Sequence, residues 1–342
     1  MSTKKIRFGI VGAGIMGQQY ARIYSCHPLT EVTVICSRDR KRLDETADKF
    51  GIPSRYAEFE EVPADAPIDA VCVATPDYAH YPYVKAALEA GKHVLCEKPF
   101  TTDLGQADEL LELSRSRPGQ KLQVAFNHRW LNAYYHGFAA IQKGSIGKPV
   151  AGFARKNDTI WVATEMMDWA AQTTPMHFLG SHDIDLMRWF FGSEPVEVHA
   201  YGAKGVLTAR GIDTYDVIQA QVKFAGGEFA TFESSWIYPN TFPTIVDSFV
   251  EVIGSSGHLH FDRKRESIEI STPERFSYPK TMLSHETFGK LRGAFVECLT
   301  DFAESIVNDT EPKVTAFDGR QVTAVLDAVM RSLATGDTAK VR

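Results

Sequence analysis

The run "GIVGAGIMG", Gly9 to Gly17, constrains this chain more than any other stretch. It closes a β-branched run, "IRFGIV", and opens an apolar helical pattern over Ile15–Ser25. Gly12, Gly14 and Gly17 stand in G-x-G-x-x-G spacing, with Ile15 and Met16 between the last two. At a strand-to-helix junction the first glycine permits a tight turn and the second lets backbone approach a pyrophosphate. The third packs helix against strand. The free N–H groups and positive dipole end of the helix then face the phosphates. Further strands read as "VTVIC", "DAVCVAT", "HVLC" and "LQVAF", with helices over Arg40–Phe50, Tyr78–Ala90 and Gln106–Arg115. Apolar strands alternating with helices predict a parallel sheet covered on both faces.

The second strand ends "VICSRDRKR". An NAD site carries Asp or Glu about 20 residues after the glycines, bonding the ribose 2′-hydroxyl. That place holds Ser37 followed by Arg38. A hydroxyl beside a guanidinium fork suits a 2′-phosphate. The reading favours NADP, with NAD as the alternative in which Asp39 supplies the acidic contact.

A chain of 342 residues is long enough for two domains. Its net charge of −6 argues against nucleic acid or an anionic membrane as main partner, since both reward clustered Lys and Arg. No apolar run is long enough to span a bilayer. The first strand begins almost at the N-terminus, which leaves no room for a signal peptide and makes a cytoplasmic location the expectation. Cys26, Cys36, Cys72, Cys96 and Cys298 include no C-x-x-C pair, and three of them sit within expected strands. Reduced thiols suit this pattern better than a disulfide framework or a metal site.

After Pro149 the pattern changes to alternating strands joined by turns: "PVEVHAYGAKG", "DVIQAQVKFAGGEFATFESSW" and "SFVEVIGSSGHLHFD". The "AGG" at 225–227 and "GSSG" at 254–257 are hairpin signals. Two closing helices are expected near Glu286–Val307 and Phe317–Leu333.

Four motifs in order, "GAGIMG", "ATPDYAH" (Ala74–His80), "CEKPF" (Cys96–Phe100) and "GSHDIDLMRW" (Gly180–Trp189), run through the chain, with "AFNHRW" and "GSIGKPV" between. In this set the chain resembles the Gfo/Idh/MocA family, the glucose–fructose oxidoreductase and inositol dehydrogenase group. The resemblance implies an α/β plus α+β architecture. A Rossmann domain over residues 1–126 precedes an open, mostly antiparallel sheet domain over 127–342 with helices on one face. The sheet's other face commonly makes oligomer contacts, so a homo-oligomer, dimer or tetramer, is implied. The implied activity is hydride transfer between a nicotinamide and a secondary alcohol or ketone of a sugar, cyclitol or glycoside.

The resemblance also implies roles. Lys98 of the E-K-P motif would lie beside nicotinamide and the reacting hydroxyl. Open α/β sheets bind ligands outside the carboxyl ends of their strands, and a cation there stabilises an alkoxide-like oxygen. Pro99 fixes the chain after it and can form a cis peptide. Thr75, Pro76, His80 and Glu97 would line the cofactor, with Glu97 alternatively orienting Lys98, and Asn127 joins this set. His182 is the matched general base, and Asp185 shares its helix face. Arg129, Asn157, Trp161, Asp168, His177 and Asp185 are candidate substrate contacts, alongside Lys98 and His182. The inositol dehydrogenase pattern D-x-x-x-H has aspartate four residues before the histidine, where this chain has Phe178. His177 or Asp168 is the candidate replacement. The fold also admits glycoside cleavage initiated by oxidation, or a non-catalytic regulator that senses cofactor or sugar.

Overall fold

The computed structural model describes residues 5–342, so the first four residues, at which the leader expectation begins, lie outside it. The chain divides into two compact units. The first comprises residues up to Phe126 with 289–291 and 295–320; the second comprises 127–288, 292–294 and 321–342.

The first unit is a doubly wound sheet. Its elements are β1 (Ile6–Val11), α1 (Ile15–Cys26), β2 (Thr30–Cys36), α2 (Arg40–Phe50), β3 (Ser54–Tyr56) and β4 (Ala70–Val73). There follow α3 (His80–Glu89), β5 (His93–Cys96), α4 (Leu104–Arg115) and β6 (Leu122–Val124). The strands lie in the order β3-β2-β1-β4-β5-β6, all parallel. Every residue of β4 is buried, as strands covered on both faces require. Phe8 stacks on Tyr24 with ring centroids 3.9 Å apart, and the Tyr24 hydroxyl donates to the Leu299 carbonyl. Through Leu299, Cys298 and Phe302, a segment expected in the second domain packs with this unit. All five cysteines are free thiols.

The second unit opens with α5 (Asn132–Gln142), β7 (Pro149–Thr159), α6 (Ser181–Phe191), β8 (Pro195–Ala203), β9 (Val217–Phe224), β10 (Phe229–Tyr238), β11 (Val246–Gly254) and β12 (His258–Asp262). Four short strands follow: β13 (Ile270–Ser271), β14 (Phe276–Ser277), β15 (His285–Thr287) and β16 (Lys290–Arg292). The chain closes with α7 (Ala294–Val307), α8 (Ala316–Thr335) and β17 (Ala339–Lys340). The sheet order is β12-β11-β7-β10-β9-β8-β17, antiparallel except between β7 and β10. Both hairpin signals lie at turns, with φ +97° at Gly227 after β9 and the "GSSG" run between β11 and β12. The penultimate helix starts at Ala294, later than the sequence pattern suggests. Positive φ at Phe288, Gly289 and Gly293 breaks helical geometry before it.

One face of this sheet carries α6. A Cβ at Gly152 would meet Met187 and Phe191 of that helix, which sets the even-numbered residues of β7 toward it. Ten of the eleven α6 residues are buried, including Ser181, His182, Asp183, Asp185 and Arg188. A helix buried on all sides is normally apolar, so each of these polar groups needs a partner or a function.

Candidate active site

The candidate residues of the first unit begin with its glycine turn. Gly12 has φ +105°, and a Cβ there would come 2.5 Å from the Ala74 carbonyl oxygen. A Cβ on Gly17 would sit 1.8 Å from the Gly12 carbonyl. Both positions exclude any side chain. Gly14 differs: nothing lies within 4 Å of its missing Cβ. It is the N-cap of α1 and offers no side-chain cap, and the first helical turn holds no acidic residue. Exposed N–H groups above open space, free of negative charge, fit a dinucleotide's diphosphate.

At the end of β2, Ser37 donates its N–H to the Tyr56 carbonyl at 3.0 Å, and Arg38 is exposed, 3.9 Å from Glu58. Asp39 is the N-cap of α2. Its carboxylate accepts from Arg42 N at 3.0 Å and lies 3.1 Å from Arg42 Nε. That geometry turns Asp39 onto its own helix and leaves Ser37 and Arg38 at the strand tip.

Lys98 follows β5, half-buried, and the Lys98–Pro99 bond is cis. Glu97 beneath it is 5 % exposed. One Glu97 oxygen accepts from the Tyr20 hydroxyl and the other from Lys98 N–H at 3.1 Å. Burial pushes the Glu97 carboxyl up against the pull of Lys98. The carboxyl thus faces inward and grips the backbone of Lys98. Tyr20, fully buried on α1, was not among the residues read from the sequence, because nothing separates its hydroxyl from an apolar helix stripe. His80 is also a strut. Its ring nitrogens lie 2.8 Å from Pro99 O and 3.0 Å from Thr75 O, joining the turns after β4 and β5. Thr75 and Pro76, half-buried, stand in the first of these turns.

In the second unit His182 and His128 stack face to face, ring centroids 4.0 Å apart and planes inclined by 13°. Arg263 Nη1 lies 3.3 Å from His128 Nε2. Beside them Lys156 and Asp183 form an ion pair, 4 % and 1 % exposed. Burial lowers the lysine's pKa and raises the carboxyl's, each opposed by the partner.

Several expected substrate contacts engage other side chains of the protein. Asn157 has the opposite strand parity to Lys156. Its amide donates to Glu233 at 2.7 Å and Tyr238 at 3.0 Å, on the sheet face away from α6. Lys156 is the inward residue. Arg129 and Asp185 engage each other in a fork, at 2.9 and 2.6 Å, with Arg188 a further 3.9 Å from the same carboxylate. Breaking a buried pair of this kind costs about 3–5 kcal/mol, so it anchors α6 rather than meeting a ligand. Trp161 packs on an apolar cluster that contains Val162, Leu179 and Trp236.

Phe178 explains the missing aspartate. Its ring lies 6.0 Å from Trp169 and 5.9 Å from Trp236, in surroundings with no use for a carboxylate. Neither suggested replacement is joined to His182 here. Asp168 is exposed, and His177 bonds Thr174 Oγ1 at 2.8 Å, with burial pushing its pKa down to about 4. Asn127 is 3 % exposed, and its side-chain oxygen has no partner among the described residues.

Comparison with known proteins identifies the family. The model of the oxidoreductase family with NAD-binding Rossmann fold matches residues 6–126, and the GFO/IDH/MocA C-terminal domain matches 138–260. The chain belongs to the GFO/IDH/MocA oxidoreductase family. It is 28 % identical to the uncharacterized oxidoreductase YrbE of Bacillus subtilis (strain 168), over 98 % of this chain and 96 % of that one. Identity to the myo-inositol 2-dehydrogenase of Thermotoga maritima is 26 %, over 96 % of both. Among solved structures, scyllo-inositol dehydrogenase from Lactobacillus casei with bound NAD(H) and scyllo-inositol superposes with a TM-score of 0.85. It is 22 % identical over 99 % of both chains, a likeness of fold. This chain is therefore an oxidoreductase with an NAD-binding Rossmann domain. Among its described residues no helix is long and apolar enough to cross a membrane.

Proposed function

We propose that the protein interconverts a secondary hydroxyl and a ketone on a polyol, cyclitol or sugar, using NADP in preference to NAD. The observation that carries the reading is the half-buried Lys98 at the carboxyl end of β5, gripped by Glu97, in the same unit as the open turn at Gly14. Ligands of doubly wound sheets bind outside those strand ends. A bound nicotinamide supplies the hydride acceptor or donor. Lys98 donates a hydrogen bond to the substrate oxygen and stabilises the charge that grows on it. His182 takes the hydroxyl proton during oxidation and returns it during reduction. Lys156 and Asp183, rather than Asn157, are the polar groups beside it on the inward face of β7 and on α6. Thr75, Pro76 and Asn127 are proposed to border the cofactor.

The NADP preference rests on Ser37 and Arg38 at the tip of β2, with Asp39 committed to capping. Ser37→Asp is expected to raise the Kd for NADPH at least about tenfold, or 1.4 kcal/mol, through like-charge repulsion, and to spare NADH. Unchanged NADPH affinity in a binding titration would mean the phosphate site is misplaced.

The activity is tested by following NADPH and NADH absorbance with a panel of inositols, sugars and their ketones. Turnover on at least one cyclic polyol is expected. Tight cofactor binding with no turnover on any member would favour a sensing role. We also propose a cytoplasmic homo-oligomer joined through the sheet face opposite α6, where Phe229 is 52 % exposed alongside half-buried Phe153 and Phe249.

A further inference from the structure

We propose that Tyr20 is a positioning residue for Lys98: its hydroxyl keeps the Glu97 carboxyl ionised, and the ionised carboxylate fixes the backbone at Lys98. The inference rests on the reading of Lys98 as the donor to the substrate oxygen. It begins from the direction in which Glu97 points. The E-K-P motif leaves two uses for this glutamate, contact with the cofactor or support of the lysine. Its backbone N–H donates to Val73 O at 2.9 Å, so the residue still belongs to the sheet, and it is 5 % exposed. Both carboxyl oxygens are engaged within the first unit, which selects the second use.

The two partners are both donors. Tyr20, on α1, gives its O–H to one oxygen, and Lys98 gives its backbone N–H to the other at 3.1 Å. An ionised carboxylate only accepts, so it satisfies both at once. A protonated carboxyl must place its own O–H. On the Tyr20 side that proton would make the phenol an acceptor and strand the phenol's own O–H. On the Lys98 side it would face an N–H. The phenol stays protonated at neutral pH, because burial and the Glu97 charge both hold its pKa well above the usual phenol value. Tyr24, one turn along α1, gives its hydroxyl to the Leu299 carbonyl instead. One helix face thus carries two buried tyrosines, one holding backbone and the other a charge.

Burial works against the charge on Glu97, while Lys98 and the hydrogen bond from Tyr20 work for it. The other titratable groups around the carboxyl are thiols. Cys72 on β4, Cys96 on β5 and Cys298 on α7 are each kept protonated by burial. Asp301, farther along α7, acts on Cys298. Loss of the Tyr20 hydroxyl therefore raises the pH at which Glu97 gives up its charge.

The test uses the full-length protein, NADPH and the best ketone of the panel. Reduction is the informative direction. The group that supplies the proton must be protonated, which limits the alkaline side and leaves the acid side to Glu97. Tyr20→Phe is expected to move the acid limb of kcat/KM up by about one pH unit, a tenfold change in ionisation for one lost hydrogen bond to a charged group. Most of the wild-type rate should return on the alkaline side of that limb. Glu97→Gln, whose amide oxygen can still accept from Lys98 N–H and which does not titrate, is expected to lack the limb. A second measurement needs no catalysis. The bond from Tyr20 strengthens only the charged carboxylate, so the urea midpoint of Tyr20→Phe should fall further below that of wild type as pH rises from 5 to 8. The proposal is overturned if Tyr20→Phe superposes on the wild-type profile or lowers it evenly at every pH. It is also overturned if Glu97→Gln keeps the wild-type acid limb, or if the midpoint gap is the same at pH 5 and pH 8. Full hydride transfer in Lys98→Met would instead overturn the reading of Lys98, while the midpoint gap would still report on the Tyr20–Glu97 pair.

Discussion

Lys98→Met is expected to lower kcat by roughly 10²–10³-fold, the usual loss when one donor to a developing oxyanion is removed, while cofactor affinity changes little. The methionine fills the same volume without the charge, so the cis Lys98–Pro99 turn and the grip of Glu97 on residue 98 N–H persist. The substrate oxygen then loses a cation at the stage when it needs one. Lys98→Arg is not a rescue, because a planar fork cannot occupy the place of a compact ammonium. Tyr20→Phe offers a graded control. It frees one oxygen of buried Glu97 and loosens the platform beneath Lys98, so kcat should fall by less than in Lys98→Met. Stopped-flow measurement of the hydride step, beside a cofactor titration for each variant, decides the matter. An undiminished hydride step in Lys98→Met would remove the lysine from the mechanism.

The second large effect concerns acid. His177 is 7 % exposed, and burial pushes its pKa down to about 4. In the unfolded chain an imidazole titrates near 6.5. Between those limits the unfolded state binds more protons, so stability is full above pH 6.5 and falls as pH drops toward 4. At about 1.4 kcal/mol per unit, this histidine withdraws roughly 3 kcal/mol by the lower limit, against a total of about 5–15 kcal/mol for a typical domain. The carboxyls of Glu97 and Asp183, raised by burial, act in the opposite direction at the acidic end and offset part of the loss. His177→Gln isolates one contribution, since glutamine can still bond Thr174 and does not titrate. The expected result is a urea midpoint that declines less steeply between pH 6.5 and 4.5 than in wild type. Equal slopes would show that His177 is not held neutral.

What could be read from the chain depended on how local each constraint was. Gly12, Gly14 and Gly17 act within a single turn, so their separate roles were legible before any coordinate. The E-K-P motif likewise fixes Lys98 at a strand end. The parity of β7 was not legible. Lys156 to Thr159 are all buried, so no apolar–polar alternation says which residues face α6. The motif suggests Asn157 as a substrate contact, whereas Lys156 is the residue that faces α6. Arg129 and Asp185 are suggested as ligand contacts by the motifs they stand in, yet they satisfy each other across 56 positions of sequence. The stack of His128 on His182 and the bond from Arg263 are equally distant in sequence and left no periodic trace. The later start of α7 was hidden by the apolar residues of the preceding turn, where positive φ at Phe288 and Gly289 decides the conformation.

Lys98 is proposed to act directly on the carbon–oxygen bond that gives up or receives hydride. A crystal structure with NADP⁺ and a turned-over polyol tests this most directly. Lys98 Nζ is expected within about 3.2 Å of the reacting substrate oxygen, or one water away. A reacting oxygen out of reach of Lys98, or a polyol seated away from it, would contradict the claim.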